Sequence, residues 1–291
     1  MKNKRITVFD VCNTIFMAFV CFITLYPVWY CVIVAFNNGQ DTFLGNLYFW
    51  PRMFTFDNFK AVFKDSSIIG AFTVSIARTL IATAAHVLFT AIVAYALSKK
   101  ELKGRKIYLG MGIVTLFFSG GLIPTFLLVR SLGLYNNFFV YVLLPMFNFY
   151  DAVIFMNFFK SIPVSLEESA KIDGARPFYI FFKLIIPLSG AVFATITLFN
   201  GVFNWNDYFM GVIYTSSPNL QPIQSFLYKI ITLSSADRMV MDSPGVSASK
   251  SVTSASVKMA TMVITTAPIV CVYPFLQRYF VKGIMLGSVK E

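Results

Sequence analysis

Six stretches of this chain are apolar over the roughly 18 residues that a helix needs to cross a bilayer: 11–36, 68–97, 107–129, 138–159, 184–203 and 259–276. No soluble core of this size could absorb them. Of the 291 residues 57% are hydrophobic and 13% charged, against about 25% charged in a soluble domain. The excess must face lipid. The expected fold is all-α: a polytopic membrane protein with six transmembrane helices and one domain, residues 11–283. A basic stretch, 1–10, precedes the first span, whose apolar run is too long for a cleaved signal; a retained anchor helix is the reading.

Lysine and arginine set the orientation. One side collects Lys2, Lys4, Arg5, the cluster Lys99, Lys100, Lys103, Arg105 and Lys106, then Lys160, Lys171, Arg176, Lys183, and finally Arg278, Lys282 and Lys290. The other side has Arg52, Lys60, Lys64, Lys229, Arg238 and Lys250. That bias places both termini in the cytoplasm, as an even number of spans requires. It makes 160–183 a cytoplasmic connection, 37–67 and 204–258 external loops, and 284–291 a cytoplasmic tail. The net charge of +11 is thereby explained without nucleic acid, for which no basic helix face or stacking platform exists outside the spans.

Reactive chemistry is sparse. Cys12, Cys21, Cys31 and Cys271 all lie in apolar runs, without a Cys-x-x-Cys pair, and read as small hydrophobes. A single histidine, His86, excludes a multi-histidine metal site within this chain. No Gly-x-x-x-x-Gly-Lys-Ser/Thr occurs, so a P-loop is absent. The expectation is therefore no catalytic residue, no metal site and no cofactor in this chain.

The cytoplasmic connection is the least ordinary segment. Ser165 and Glu168 have capping-box spacing, Gly174 stands where a helix should end in a left-handed residue, and Pro177 can open the next helix. These predict a short helix, a sharp turn and a second helix leading into the fifth span. The small residues Ser169 and Ala170 would let another protein approach closely.

The same segment resembles the EAA motif of ABC importer permeases. Glu168-Ser169-Ala170 is followed by three residues, Gly174, nine more, and Leu184-Ile185-Ile186-Pro187. Ser169 for Ala, Leu184 for Ile and Ile186 for Leu are mild departures. Phe49-Trp50-Pro51, Phe117-Phe118-Ser119-Gly120-Gly121-Leu122-Ile123-Pro124, Leu132-Gly133-Leu134-Tyr135-Asn136-Asn137 and Tyr273-Pro274-Phe275-Leu276-Gln277-Arg278 extend the resemblance across nearly the whole chain, toward the maltose-type carbohydrate permeases and their polysaccharide/oligosaccharide (LplC-like) branch.

That resemblance implies a permease subunit of an importer in a bacterial cell membrane, moving an oligosaccharide by alternating access. Glu168, Ser169, Ala170, Asp173, Gly174 and Pro187 would couple it to an ATPase. The implied partners are a second homologous permease (a heterodimer), an ATP-binding-cassette ATPase dimer that carries ATP and Mg, and an extracellular sugar-binding lipoprotein. The tail 284–291 would reach along the ATPase interface, and part of 234–256 would enter the lipoprotein's cleft.

Candidate pathway residues are Asp151, inside the fourth span, and Asn204, Trp205, Asn206 and Asp207 after the fifth. A carboxylate in lipid must face the bundle or water, and Asn, Asp and Trp suit hydroxyl bonding and pyranose stacking. Packing and an interfacial aromatic belt explain the same residues, and Arg78 and His86 in span two read as cross-helix partners. An ion-coupled secondary transporter is the rival function. It needs a relay of intramembrane acids, and Asp151 is nearly alone. A membrane enzyme would need clustered catalytic groups, which the sequence lacks.

Overall fold

The computed structural model describes residues 7–64, 66–241 and 252–288, with side chains in these ranges except at 233–241 and 273–288. It is helical: among the described residues the only strand-like pairing is an isolated bridge between Asn37 and Phe54. Two compact units emerge, Met1–Ile68 with Leu227–Pro268, and Ile69–Phe226 with Ile269–Glu291.

In the first unit the opening helix, Val8–Ala35, starts ahead of the apolar run. The cause is a capping box at Thr7 and Asp10. The Thr7 hydroxyl oxygen accepts the Asp10 N–H at 3.3 Å, and the Asp10 carboxylate accepts the Thr7 N–H at 2.9 Å. The segment after this helix, expected as a loop, is a built cap. Asn37 is fully buried and donates to Asp41 Oδ2 and Thr42 Oγ1, both at 2.9 Å. Asn58 donates to the carbonyls of Ala35 and Asn37. Arg52 pairs with Asp41 at 3.1 Å. Trp29 reaches down from the helix to donate to the Phe49 carbonyl at 3.0 Å. These bonds satisfy backbone groups that the helix end leaves open.

The second unit centres on a helix of 33 residues, Ser66–Ser98. Ala82, Ala91 and Ala94 are fully buried along it, and small side chains let neighbouring helices come close. Among the described residues three helices, Val8–Ala35, Ser66–Ser98 and Ser254–Val272, are long and apolar enough to cross a membrane, or up to five if each of two bent pairs counts as one span.

Three expected spans are broken, each for an identifiable reason. The third is two helices, Arg105–Phe117 and Leu122–Ser131, bent by 118°. Gly121 at the break has φ +81°, a backbone open to glycine. The fourth is a short turn, Val140–Leu143, and a helix, Phe149–Ser161. Pro145 falls between them, without an N–H to continue a ladder, and the Asn148 side chain caps Tyr150 N at 2.8 Å. The fifth is Pro177–Leu188 and Gly190–Asn206, bent by 83°. Pro187 cannot donate to the Lys183 carbonyl four residues back, and the turn before it widens to a π-helix over Phe181–Ile185.

Other boundaries also differ from expectation. Helix Ile223–Met241 takes in residues 234–241 of the segment 204–258 expected as a loop. The last helix runs Ser254–Ser288 and includes 284–288 of the expected tail. Residues 242–251 and 289–291, which carry the rest of the expected loop and tail contacts, lie outside the described residues.

Candidate functional site

The predicted short helix is present as Val164–Ile172, but its cap is not the one expected. Pro163 takes the N-cap place with ψ 127°, the helix begins at Val164, and no side chain caps it. Ser165 is therefore already inside the helix, and the Ser165–Glu168 capping box does not form. Proline fixes φ near −65° and favours this entry without help from serine.

The far end closes as the glycine requires. Gly174 has φ +80°. Its N–H donates to the Lys171 carbonyl at 3.0 Å, and the Ala175 N–H donates to Ala170 at 2.9 Å, the paired bonds of a Schellman turn. Arg176 is extended, and Pro177 opens the next helix at its first position.

This hairpin has two faces. Ser165, Glu168, Ser169 and Ile172 are exposed and follow the i, i+3, i+4, i+7 spacing of one helix stripe. Ile172 stands 86% exposed, a large apolar side chain directed away from the core. Asp173, Gly174 and Pro187 are exposed as well. Ala170 is half-buried against the main apolar cluster. Glu167 is buried, with its carboxylate on Lys99 Nζ and accepting the Tyr95 hydroxyl at 3.2 Å. Sequence reasoning chose Glu168 and passed over Glu167. The doubled glutamate was the available signal, since neighbouring helix positions cannot share a face.

Of the candidate pathway residues, Asp151 and Asp207 are drawn into two polar ties. Asp151 sits in the first turn of Phe149–Ser161. Its Oδ2 lies 2.9 Å from His86 Nε2 and accepts from Asn200 at 3.0 Å. His86 Nδ1 is 2.8 Å from the Pro145 carbonyl. A carbonyl only accepts, so Nδ1 carries a proton. The second contact then needs its own proton, on Nε2 or on the carboxyl.

Asp207 pairs with the fully buried Arg78, which also donates to the Asp207 carbonyl at 2.8 Å and lies over the Tyr141 ring at 4.6 Å. The second Asp207 oxygen accepts the Phe209 N–H at 3.0 Å and so starts helix Phe209–Tyr214. Arg78 and His86 are thus cross-helix partners, as their placement in the span suggested.

Asn204 is buried, donates to Thr83 Oγ1 at 3.2 Å, and its Oδ1 has no hydrogen-bond partner among the described residues. Trp205 is buried, its ring 6.3 Å from Phe72. Asn206 is exposed and bonds back to the Val202 carbonyl. Among the described residues no group of His, Cys, Asp and Glu could hold a metal.

Comparison with known proteins shows the family. The model of the binding-protein-dependent transport system inner membrane component family matches residues 2–286. Protein LplC of Bacillus subtilis (strain 168) is 38% identical, over 99% of this chain and 97% of the relative. The polygalacturonan/rhamnogalacturonan transport system permease protein YtcP of the same organism is 36% identical over the full length of both. A crystal structure of a bacterial ABC transporter involved in the import of the acidic polysaccharide alginate superposes with TM-score 0.85 at 28% identity, covering 94% of this chain and 96% of that one. The chain belongs to the binding-protein-dependent transport system inner membrane component family, the multi-pass permease subunits of ABC importers.

Proposed function

We propose that this permease carries an oligosaccharide or related polysaccharide fragment into the cell by alternating access, with Val164–Ile172 as the coupling helix. One observation carries the reading: a short helix, closed by a Schellman turn, buries Glu167 and half-buries Ala170 while exposing Ser165, Glu168, Ser169 and Ile172. An exposed stripe of small and acidic residues around one isoleucine fits insertion into a cleft of a partner. That partner is an ATPase dimer supplying ATP and Mg. Asp173, Gly174 and Pro187 shape the turn and the bend behind it. The names of the relatives support a pectin- or alginate-like acidic glycan as the cargo class.

The chain works beside a second permease, in a heterodimer, and receives sugar from an extracellular binding lipoprotein. Six spans with cytoplasmic termini are supported by the charge bias, with the broken segments 107–129, 138–159 and 184–203 each counted as one crossing. In the pathway, Asn204 is the residue best suited to sugar, because its buried carbonyl oxygen is unpartnered. Asp151 and Asp207 are read as structural ties.

The test is purification of the tagged chain with its ATPase and second permease, reconstitution in liposomes, and uptake of labelled oligogalacturonate against neutral malto-oligosaccharide. ATP-dependent accumulation of the acidic glycan supports the reading. Stimulation by neither glycan, or a chain that retains no ATPase, defeats it. Reporter fusions in 37–67, 99–106 and 160–183 check the orientation.

A further inference from the structure

We propose that Glu167, acting through Lys99 and Tyr95, is the positioning residue that delivers movement of the short helix to the long helix Ser66–Ser98. The proposal rests on reading Val164–Ile172 as the ATPase-docking element.

Both carboxylate oxygens of Glu167 contact Lys99 Nζ, and one also accepts the Tyr95 hydroxyl. Lys99 Nζ lies 4.2 Å from the Tyr95 ring centroid, so the three groups form a closed triangle. Tyr95 in turn packs against Phe159, at 6.1 Å, and Phe181, at 5.2 Å. Those rings stand on the segments that enter and leave the short helix. Lys99 follows the end of the long helix, where the last carbonyls favour a cation.

Apolar contacts around the tie transmit a push and resist a pull poorly. A partly desolvated ion pair with a hydroxyl donor resists both. Glu167 is thereby able to drag the long helix as well as press it.

The long helix has somewhere to send that motion. Lys99 to Arg78 is about 30 Å at 1.5 Å per residue. Between them the helix carries His86. His86 is tied to Asp151 and the Pro145 carbonyl, beside the break before Phe149. Arg78 is tied to Asp207, at the break between Gly190–Asn206 and Phe209–Tyr214. The ties of Arg78, His86 and Lys99 thus each end at an interruption of another helix or at the short helix itself. Interruptions are where helices can change angle with least disruption.

The experiment compares Glu167→Gln, Lys99→Met, Lys99→Arg and the exchange Glu167→Lys with Lys99→Glu, each in the full transporter in liposomes. Three quantities are read: sugar moved per ATP hydrolysed, ATPase retained on purification, and thermal midpoint. Glu167→Gln and Lys99→Met should lower sugar per ATP at least about fivefold, the low end for coupled sites, with ATPase retention unchanged. Lys99→Arg and the exchange should restore it.

Wild-type stoichiometry in Glu167→Gln would overturn the proposal. So would Lys99→Arg behaving like Lys99→Met, a comparison that decides the matter even if the exchange variant fails to fold. A uniform drop in thermal midpoint and ATPase retention, with sugar per ATP unchanged, would make the triangle merely structural. Failure of the underlying functional reading has a different signature: the wild-type chain would retain no ATPase.

Discussion

Arg78 and Asp207 are 129 residues apart in sequence and form an ion pair in which the arginine side chain has no exposed surface. The pair joins the middle of the long helix to the point where Gly190–Asn206 ends. Leaving one buried charge unpaired costs about 3–5 kcal/mol, whereas removing both can be nearly neutral. Asp207→Asn and Arg78→Met should each lower the thermal midpoint of the detergent-solubilised protein. The double variant should recover part of that loss. If the two single losses simply add, the pair is not energetically coupled.

Gly174 has open space around a built Cβ, so its requirement is conformational. A left-handed residue with a side chain costs about 1–2 kcal/mol, more when β-branched. Gly174→Val should abolish uptake while membrane levels stay normal. Gly174→Asn, which tolerates this backbone, should keep most activity. Equal uptake by the valine variant and wild type would show that the turn is dispensable.

Gly112 presents the opposite case. A Cβ there would lie 2.0 Å from the Phe149 ring, because Arg105–Phe117 packs directly on Phe149–Ser161. Overpacking of this kind costs about 1–3 kcal/mol. Gly112→Ala should be less stable than wild type, and Phe149→Leu should relieve it. Gly110→Ala, with nothing within 4 Å, is the control. Indistinguishable thermal midpoints for the alanine variants at 110 and 112 would contradict this packing.

In the cap after the first helix, the Asn37 amide holds the Asp41 carboxyl below the usual carboxylate range, burial opposes it in part, and Arg52 lowers it further. A carboxyl with a lowered pKa in the folded state contributes stability above its unfolded pKa, about 3.9. That contribution disappears as pH falls through the lower folded value. Asp41→Asn should therefore be less stable than wild type at pH 7, with the difference closing below about pH 4. A difference that persists unchanged into strong acid would remove Asp41 as its source.

The turn chemistry and the membrane character were legible because they depend on neighbours in sequence. Long apolar runs have one solvent that accepts them. Gly174 and Pro177 act through their own backbones, so their positions were readable one residue at a time. Reading failed where several local signals competed. The Ser165–Glu168 spacing suggested a capping box, but Pro163 had already set the entry, and the box formed at Thr7 and Asp10 instead. Apolar length alone likewise suggested continuous third, fourth and fifth spans. Gly121, Pro145 and Pro187 interrupt them, and mean hydropathy does not register a missing N–H.

What the sequence by itself determined is thus the helical character of the chain, its affinity for lipid and the turn around Gly174. Only the tertiary structure decided which polar residues are partners. Lys99 meets Glu167 across 68 residues, His86 meets Asp151 across 65, and Arg78 meets Asp207 across 129. A buried charge must be satisfied by some group, but the chain order does not say which. That choice is made when helices pack and each polar group finds the partner that the close approach of small residues brings within reach.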